Sequence, residues 1–217
     1  TCAVIIPGTL LWSWVSLSDA EVCNDSGTRC IMFAGWVQFS TFTRWTWIVQ
    51  GFYHVSALAA SLVPQLNRAA QILFELSLST APLVTSVTYL VLVPGGLLIE
   101  HPPHRQGTLR VLFSPQGHLM HSLNTIFIMG DLAMSKSPRA TLPTDVFYGF
   151  ALLLAFCLFE WVFHASTDIW HYPFLDYNRP FAEIAHVALL GAFIGFWKMG
   201  ASLCRLQSER LVKHAMD

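Results

Sequence analysis

Long apolar blocks, set apart by short polar ones, constrain this chain more than anything else in it. Several blocks approach the roughly 20 apolar residues that a helix needs to cross a bilayer. Backbone groups in lipid have no water to bond, so such blocks read as helices. The composition agrees: 54% of residues are hydrophobic and 12% are charged. A soluble domain carries roughly twice that charged share. Mean hydropathy is +0.51. The sequence therefore predicts an all-α, polytopic membrane helix bundle with about six transmembrane helices. It forms one integral membrane domain over residues 1–217.

The candidate spans are 2–17, broken by Pro7, then 36–63, which stops before Pro64, and 70–99, with Pro82 as a kink. Three more lie at 118–135, 144–165 and 181–204. Alternating directions put Arg68, Lys136, Arg139, Arg205, Arg210 and Lys213 on the side of the N-terminus, here side A. Arg29, Arg105, Arg110 and Arg179 fall on the opposite side, B. The excess, six against four, points to side A as cytosol or matrix. With a net charge of −1 and no basic run, the chain offers nucleic acid nothing to bind. It begins "TCAVII", with neither Met nor a cationic leader, which permits an organellar location. The expected home is the mitochondrial inner membrane ahead of the endoplasmic reticulum. The "NDS" sequon at Asn24 matters only on a secretory route. Cys23 and Cys30 lie together in a side B loop, where a disulfide and two free thiols are both open readings.

The polar residues are not scattered. "HSLNTIFIMGD" places His121, Asn124 and Asp131 on one helical face, about 80° wide at the helical repeat. Threading the spans brings Thr41, Thr43, Arg44, His118, His121, Asn124, His164, Asp168, Glu183 and His186 to side B. Polar groups within a membrane face the bundle interior or a wet cavity. One shared cavity open towards side B is the economical expectation. Glu75 and Asp131, at a similar greater depth, form a candidate second cluster. The plainer reading is glue between helices, at about 1 kcal/mol per hydrogen bond.

As chemistry, a Thr hydroxyl attacks only when a base takes its proton. His121 or His186 could be that base, and Asn124 could donate to an oxyanion. Haem needs two facing histidines, and a metal needs more ligands than the His118/His121 pair offers. Neither a cofactor nor a metal is expected, although haem or metal binding stays a third option.

Three stretches in order, "FSTFTRWTWIVQGFY", "HSLNTIFIMGD" and "WHYPFLDYNRP", resemble motifs of the androgen-induced-gene family of polytopic membrane proteins. Members include threonine hydrolases that cleave fatty acid esters of hydroxy fatty acids. The resemblance covers residues 36–196. It implies Thr43, seven residues before Gln50, as the nucleophile, with Thr41 as runner-up. It also implies a catalytic His three residues after His121, where this chain has Asn124. Asn cannot accept and return a proton. The expectation is a hydrolase-like fold without its activity, a pseudoenzyme serving as a lipid-binding accessory subunit of a larger membrane complex. Its partners would be membrane lipids, held by Thr41, Arg44, His164, Asp168 and His186, and other membrane subunits. "GAFIG", 191–195, permits close helix contact. The alternative is an atypical threonine hydrolase with His121 as base.

Overall fold

Apolar runs interrupted by proline and by polar loops fold here into a helical bundle with one small hairpin. The computed structural model describes residues 6, 8, 9, 21–24, 27–99, 102–135 and 142–216. β1 (Glu21–Cys23) pairs antiparallel with β2 (Cys30–Met32), with Cys23 opposite Cys30. A disulfide joins these two cysteines. Gly27 has φ +68°, the left-handed turn conformation that glycine adopts without cost.

α1 is Phe42–Ala60, entered through a 3-10 turn at Gly35–Ser40. α2 runs continuously over Pro64–Leu97. α3 (Pro102–Leu112) is short and packs against β1. α4 covers 115–134, α5 is Val146–Thr167 and α6 is Ala182–Met216. The sequence predicts neither the hairpin nor α3, and α6 continues well beyond 204. Of the first candidate span only Ile6, Gly8 and Thr9 are described. They are helical, and Ile6 packs on Trp47 and Met120. Whether that segment crosses a bilayer lies outside the described residues.

Among the described residues, three stretches are long and apolar enough to cross a membrane: Pro64–Leu97, Pro143–Thr167 and Ala182–Lys213. α1 has 19 residues, about 28 Å of rise. It buries Thr43, Arg44, Thr46 and Gln50, so it reads as less apolar than its neighbours. α4 likewise buries His121 and Asn124.

α2 is the central helix. One core cluster joins Tyr53 of α1, Phe74 and Leu78 of α2, Ile128 and Leu132 of α4, and Cys204 of α6. A second joins Leu76 and Leu83 of α2 to Phe193 and Trp197 of α6. The buried hydroxyls of α2 are satisfied locally: Ser77, Ser79 and Thr80 donate to the carbonyls of Leu73, Glu75 and Leu76. Such back-bonding lets a helix interior carry Ser and Thr in an apolar setting. α2 widens to a π turn at Thr88–Leu92, just before Pro94. Proline lacks the N–H of an ordinary turn and its ring crowds the preceding one, so widening is the local remedy. α4 has a π turn at Leu119–Leu123. The two meet: Thr85 donates to the His121 carbonyl at 2.5 Å, and the Tyr89 and Ser122 hydroxyls lie 2.6 Å apart.

Glu75 and Asp131, expected to belong to one second cluster, bond different partners. Asp131 accepts from Tyr53 of α1, whereas Glu75 bonds Gln71 at 2.7 Å and neighbours Asp145 and Arg68. At the "GAFIG" glycines no described atom lies within 4 Å of a Cβ built at Gly191 or Gly195, so within this chain they make no close helix contact. A close approach occurs at Gly149 of α5, where a Cβ would overlap the ring of the fully buried Phe193. Gly149→Ala is therefore expected to lower stability by about 1–3 kcal/mol, the cost of overpacking a rigid ring. Thermal unfolding in mild detergent measures it, and an unchanged midpoint would show that α5 can move away freely.

Candidate functional site

An apolar cavity of about 280 Å³ lies between α1, α2, α5, α6 and the segment 168–181. Val84, Val87, Leu153, Phe156 and Leu189 supply most of its character. Thr43, Thr88, Tyr172, Cys157 and His186 are its polar wall residues. Leu154 and Leu190, on the rim, are 61% and 44% exposed, so the cavity opens sideways on the outer surface of α5 and α6. The Tyr172 hydroxyl accepts from the Phe42 N–H at 3.1 Å. Burial and the nearby Glu160 push the phenol above its ordinary range, with Thr43 pulling the other way, so it stays a protonated donor. His186 Nδ1 lies 2.7 Å from the Ala182 carbonyl. That bond needs a hydrogen on Nδ1.

His121 and Asn124 do not line this cavity. His121 Nδ1 meets the Thr88 hydroxyl at 3.0 Å, placing the imidazole behind a wall residue. Arg44 and His118 are the charged or chargeable groups that act on it. The Asn124 side-chain oxygen accepts from the Thr125 N–H at 2.6 Å and lies 3.3 Å from the Thr85 hydroxyl. Its main-chain carbonyl accepts from Gln50 at 3.1 Å. Asn124 thus sits where a polar residue ties α4 to α1 and α2.

Arg44 turns elsewhere. Nη2 donates to Gln38 at 2.8 Å, and the guanidinium lies 5.9 Å from the Phe39 ring centroid. Its Nη1 is buried without a partner among the described residues. Thr41 precedes α1, with its hydroxyl 3.4 Å from the Gln38 carbonyl.

His164 and Asp168 belong to a second, outer pocket of about 520 Å³, shared with Arg29, Trp161, Ala165 and Tyr177. Asp168 closes α5 in the left-handed conformation, with φ at 64°. Asp tolerates that conformation better than most residues. Its carboxylate accepts from the Asn24 side-chain amide at 3.0 Å. The Asn24 side-chain oxygen accepts the N–H groups of Thr28 and Arg29, at 3.0 and 3.1 Å, so this one residue links hairpin and helix end.

A buried chain of side chains that the sequence did not reveal joins the entry of α1 to α5. Ser40 Oγ lies 2.8 Å from His171 Nε2, and His171 Nδ1 lies 3.3 Å from Glu160 Oε2. The His171 N–H also donates to Glu160 Oε1 at 2.8 Å. Hydroxyl, imidazole and carboxylate follow the order of a hydrolytic triad. However, neither Ser40 nor His171 lines either pocket, and the Ser40 hydroxyl donates to the Val37 carbonyl. The arrangement works as a clamp joining the 3-10 turn, α5 and the 168–181 segment.

The residues expected to share one cavity therefore divide among separate places. Thr43 and His186 share the apolar cavity. His121 and Asn124 lie in the α2–α4 contact, Thr41 and Arg44 bond Gln38, and His164 and Asp168 form the outer pocket. Sequence reasoning missed Thr88, Tyr172, Glu160, Ser40 and His171. A three-residue cluster of metal-ligand type among the described residues is Glu21, Cys23 and Cys30, whose sulfurs are already joined to each other. No protein family, curated protein or solved structure matches the chain.

Proposed function

We propose that this protein is a membrane bundle of about six crossings that holds an acyl chain in the cavity between α2, α5 and α6 and does no chemistry on it. The cavity itself carries this reading: about 280 Å³, walled mostly by aliphatic and aromatic side chains, and open sideways. Small-ligand pockets start at about 300 Å³, and a narrow apolar chain suits this shape. Thr43 supports the non-catalytic reading, since its wall neighbours include no base bonded to it among the described residues. The open strip at Gly191 and Gly195 gives a neighbouring helix room to pack, in keeping with an accessory subunit.

One observation favours a second reading, hydrolysis. Thr88 is on the cavity wall and in contact with His121 Nδ1 at 3.0 Å. Thr88 therefore has a base within hydrogen-bond reach. The test is to purify the protein in mild detergent, identify co-purifying lipid, and assay turnover of a branched fatty acid ester. About one acyl lipid per chain and no turnover are expected. Turnover lost in Thr88→Val or in Thr43→Ala would overturn the non-catalytic reading. Protein free of lipid and unable to take any up would overturn the binding reading.

A further inference from the structure

The outer pocket and the apolar cavity lie along one face of α5. Leu154 and Cys157 line the cavity, whereas Trp161, His164 and Asp168 line the outer pocket. These residues recur every three or four positions, the spacing of a single helical stripe. From Leu154 to Asp168 the helix rises about 21 Å. An amphiphile with its chain in the cavity would therefore present its headgroup to the outer pocket.

That pocket is chemically mixed. Arg29 and Asp168 both line it, and no ion pair joins them among the described residues. Asp168 is held by Asn24, and Arg29 by the same turn. His164 stacks on Trp170 at 4.2 Å, and its Nδ1 is buried without a partner among the described residues. Trp161 and Tyr177 add aromatic wall, and Tyr177 packs edge-on to Trp170. Aromatic residues at the end of an apolar helix mark the headgroup level of a bilayer.

We propose that the outer pocket binds a zwitterionic phosphocholine-type headgroup, on a lipid whose chain occupies the cavity. The proposal rests on the acyl-chain reading above. Arg29 and the imidazole of His164 offer the phosphate hydrogen-bond donors. Asp168 and the rings of Trp161 and Tyr177 take the quaternary ammonium, by charge and by cation–π attraction. One fixed cation and one fixed anion match a headgroup of no net charge. A purely anionic headgroup would face Asp168 unmatched, and a purely cationic one would face Arg29, so the same pair rejects both.

Titration calorimetry on the full chain in amphipol, with three amphiphiles of equal twelve-carbon chain, tests this. Dodecylphosphocholine is expected to bind about tenfold tighter than dodecyl phosphate or dodecyltrimethylammonium. Asp168→Asn keeps a residue tolerant of the left-handed conformation and an oxygen for Asn24. It should weaken phosphocholine binding about fivefold and bring dodecyl phosphate level with it. Arg29→Gln should weaken both phosphate-bearing probes and leave the trimethylammonium probe unchanged or tighter. Equal binding of all three by the parent, or a preference untouched by Asp168→Asn, would overturn the headgroup proposal and leave chain binding standing. Failure of every probe to bind would overturn both.

Discussion

Glu160→Ala is expected to lower stability by about 3–5 kcal/mol and to loosen the 168–181 segment. Glu160 is fully buried, and both carboxylate oxygens are used by His171, one by its N–H and one by its ring. The ring in turn reaches Ser40 across to the entry of α1. Removing the carboxylate leaves two buried donors without an acceptor, at about 1–3 kcal/mol each, and ends a buried charge-assisted link. Tyr172 and Leu175 belong to the same segment and wall the cavity, so lipid binding should fall with it. Glu160→Gln keeps one acceptor oxygen and should cost less than half as much. Denaturant unfolding in detergent reads the difference. A Glu160→Ala protein within about 1 kcal/mol of the parent would show that the clamp carries little.

The second large effect concerns the cavity. Cys157 lines it from α5 and is partly buried. Cys157→Phe puts a ring where a chain would lie and should weaken binding of a twelve-carbon amphiphile at least about tenfold. Thermal stability should hold, because the added ring fills space rather than displacing a packed neighbour. Cys157→Ala keeps the space open and should bind within about twofold of the parent. Equal affinity in the parent and Cys157→Phe would place the bound chain elsewhere.

The helices that face outward are the easiest to read. α5 and α6 keep long apolar runs because little of their surface is covered, so hydropathy alone finds them. α1 and α4 are legible as helices, but their polar residues conceal how each one turns. The face predicted for His121, Asn124 and Asp131 assumes the regular helical repeat. The π turn at Leu119–Leu123 adds a residue to that turn and rotates the residues beyond it. Arg44 lies beside Thr43 in sequence but turns to Gln38, a contact set by the 3-10 turn before α1. Thr88 gives no signal, since a Thr in an apolar helix is ordinary, and the motif containing Tyr172 does not say which of its residues reaches a cavity. In the clamp, Ser40 and His171 are 131 positions apart, and no local pattern announces such a contact.

The sequence motif expects Thr43 to be a nucleophile; the structure shows it as one of the polar wall residues of the apolar cavity. The same motif expects a catalytic base at position 124, whereas Asn124 is bonded to Thr85 and Thr125 away from the cavity wall. Asn124→His should accordingly restore no ester turnover and should lower stability by about 1–3 kcal/mol by displacing those bonds. An ester assay and a melting curve on the one variant check both halves.

The most direct measurement is photolabelling in the membrane with a twelve-carbon amphiphile carrying a diazirine near its chain end, followed by peptide mapping. A chain held in the cavity predicts labels concentrated on wall residues such as Val87, Leu153 and Leu189, and suppressed by excess unlabelled amphiphile. Labels spread evenly over outward residues such as Phe52, Leu58 and Val162, and unaffected by competitor, would contradict a cavity that binds lipid.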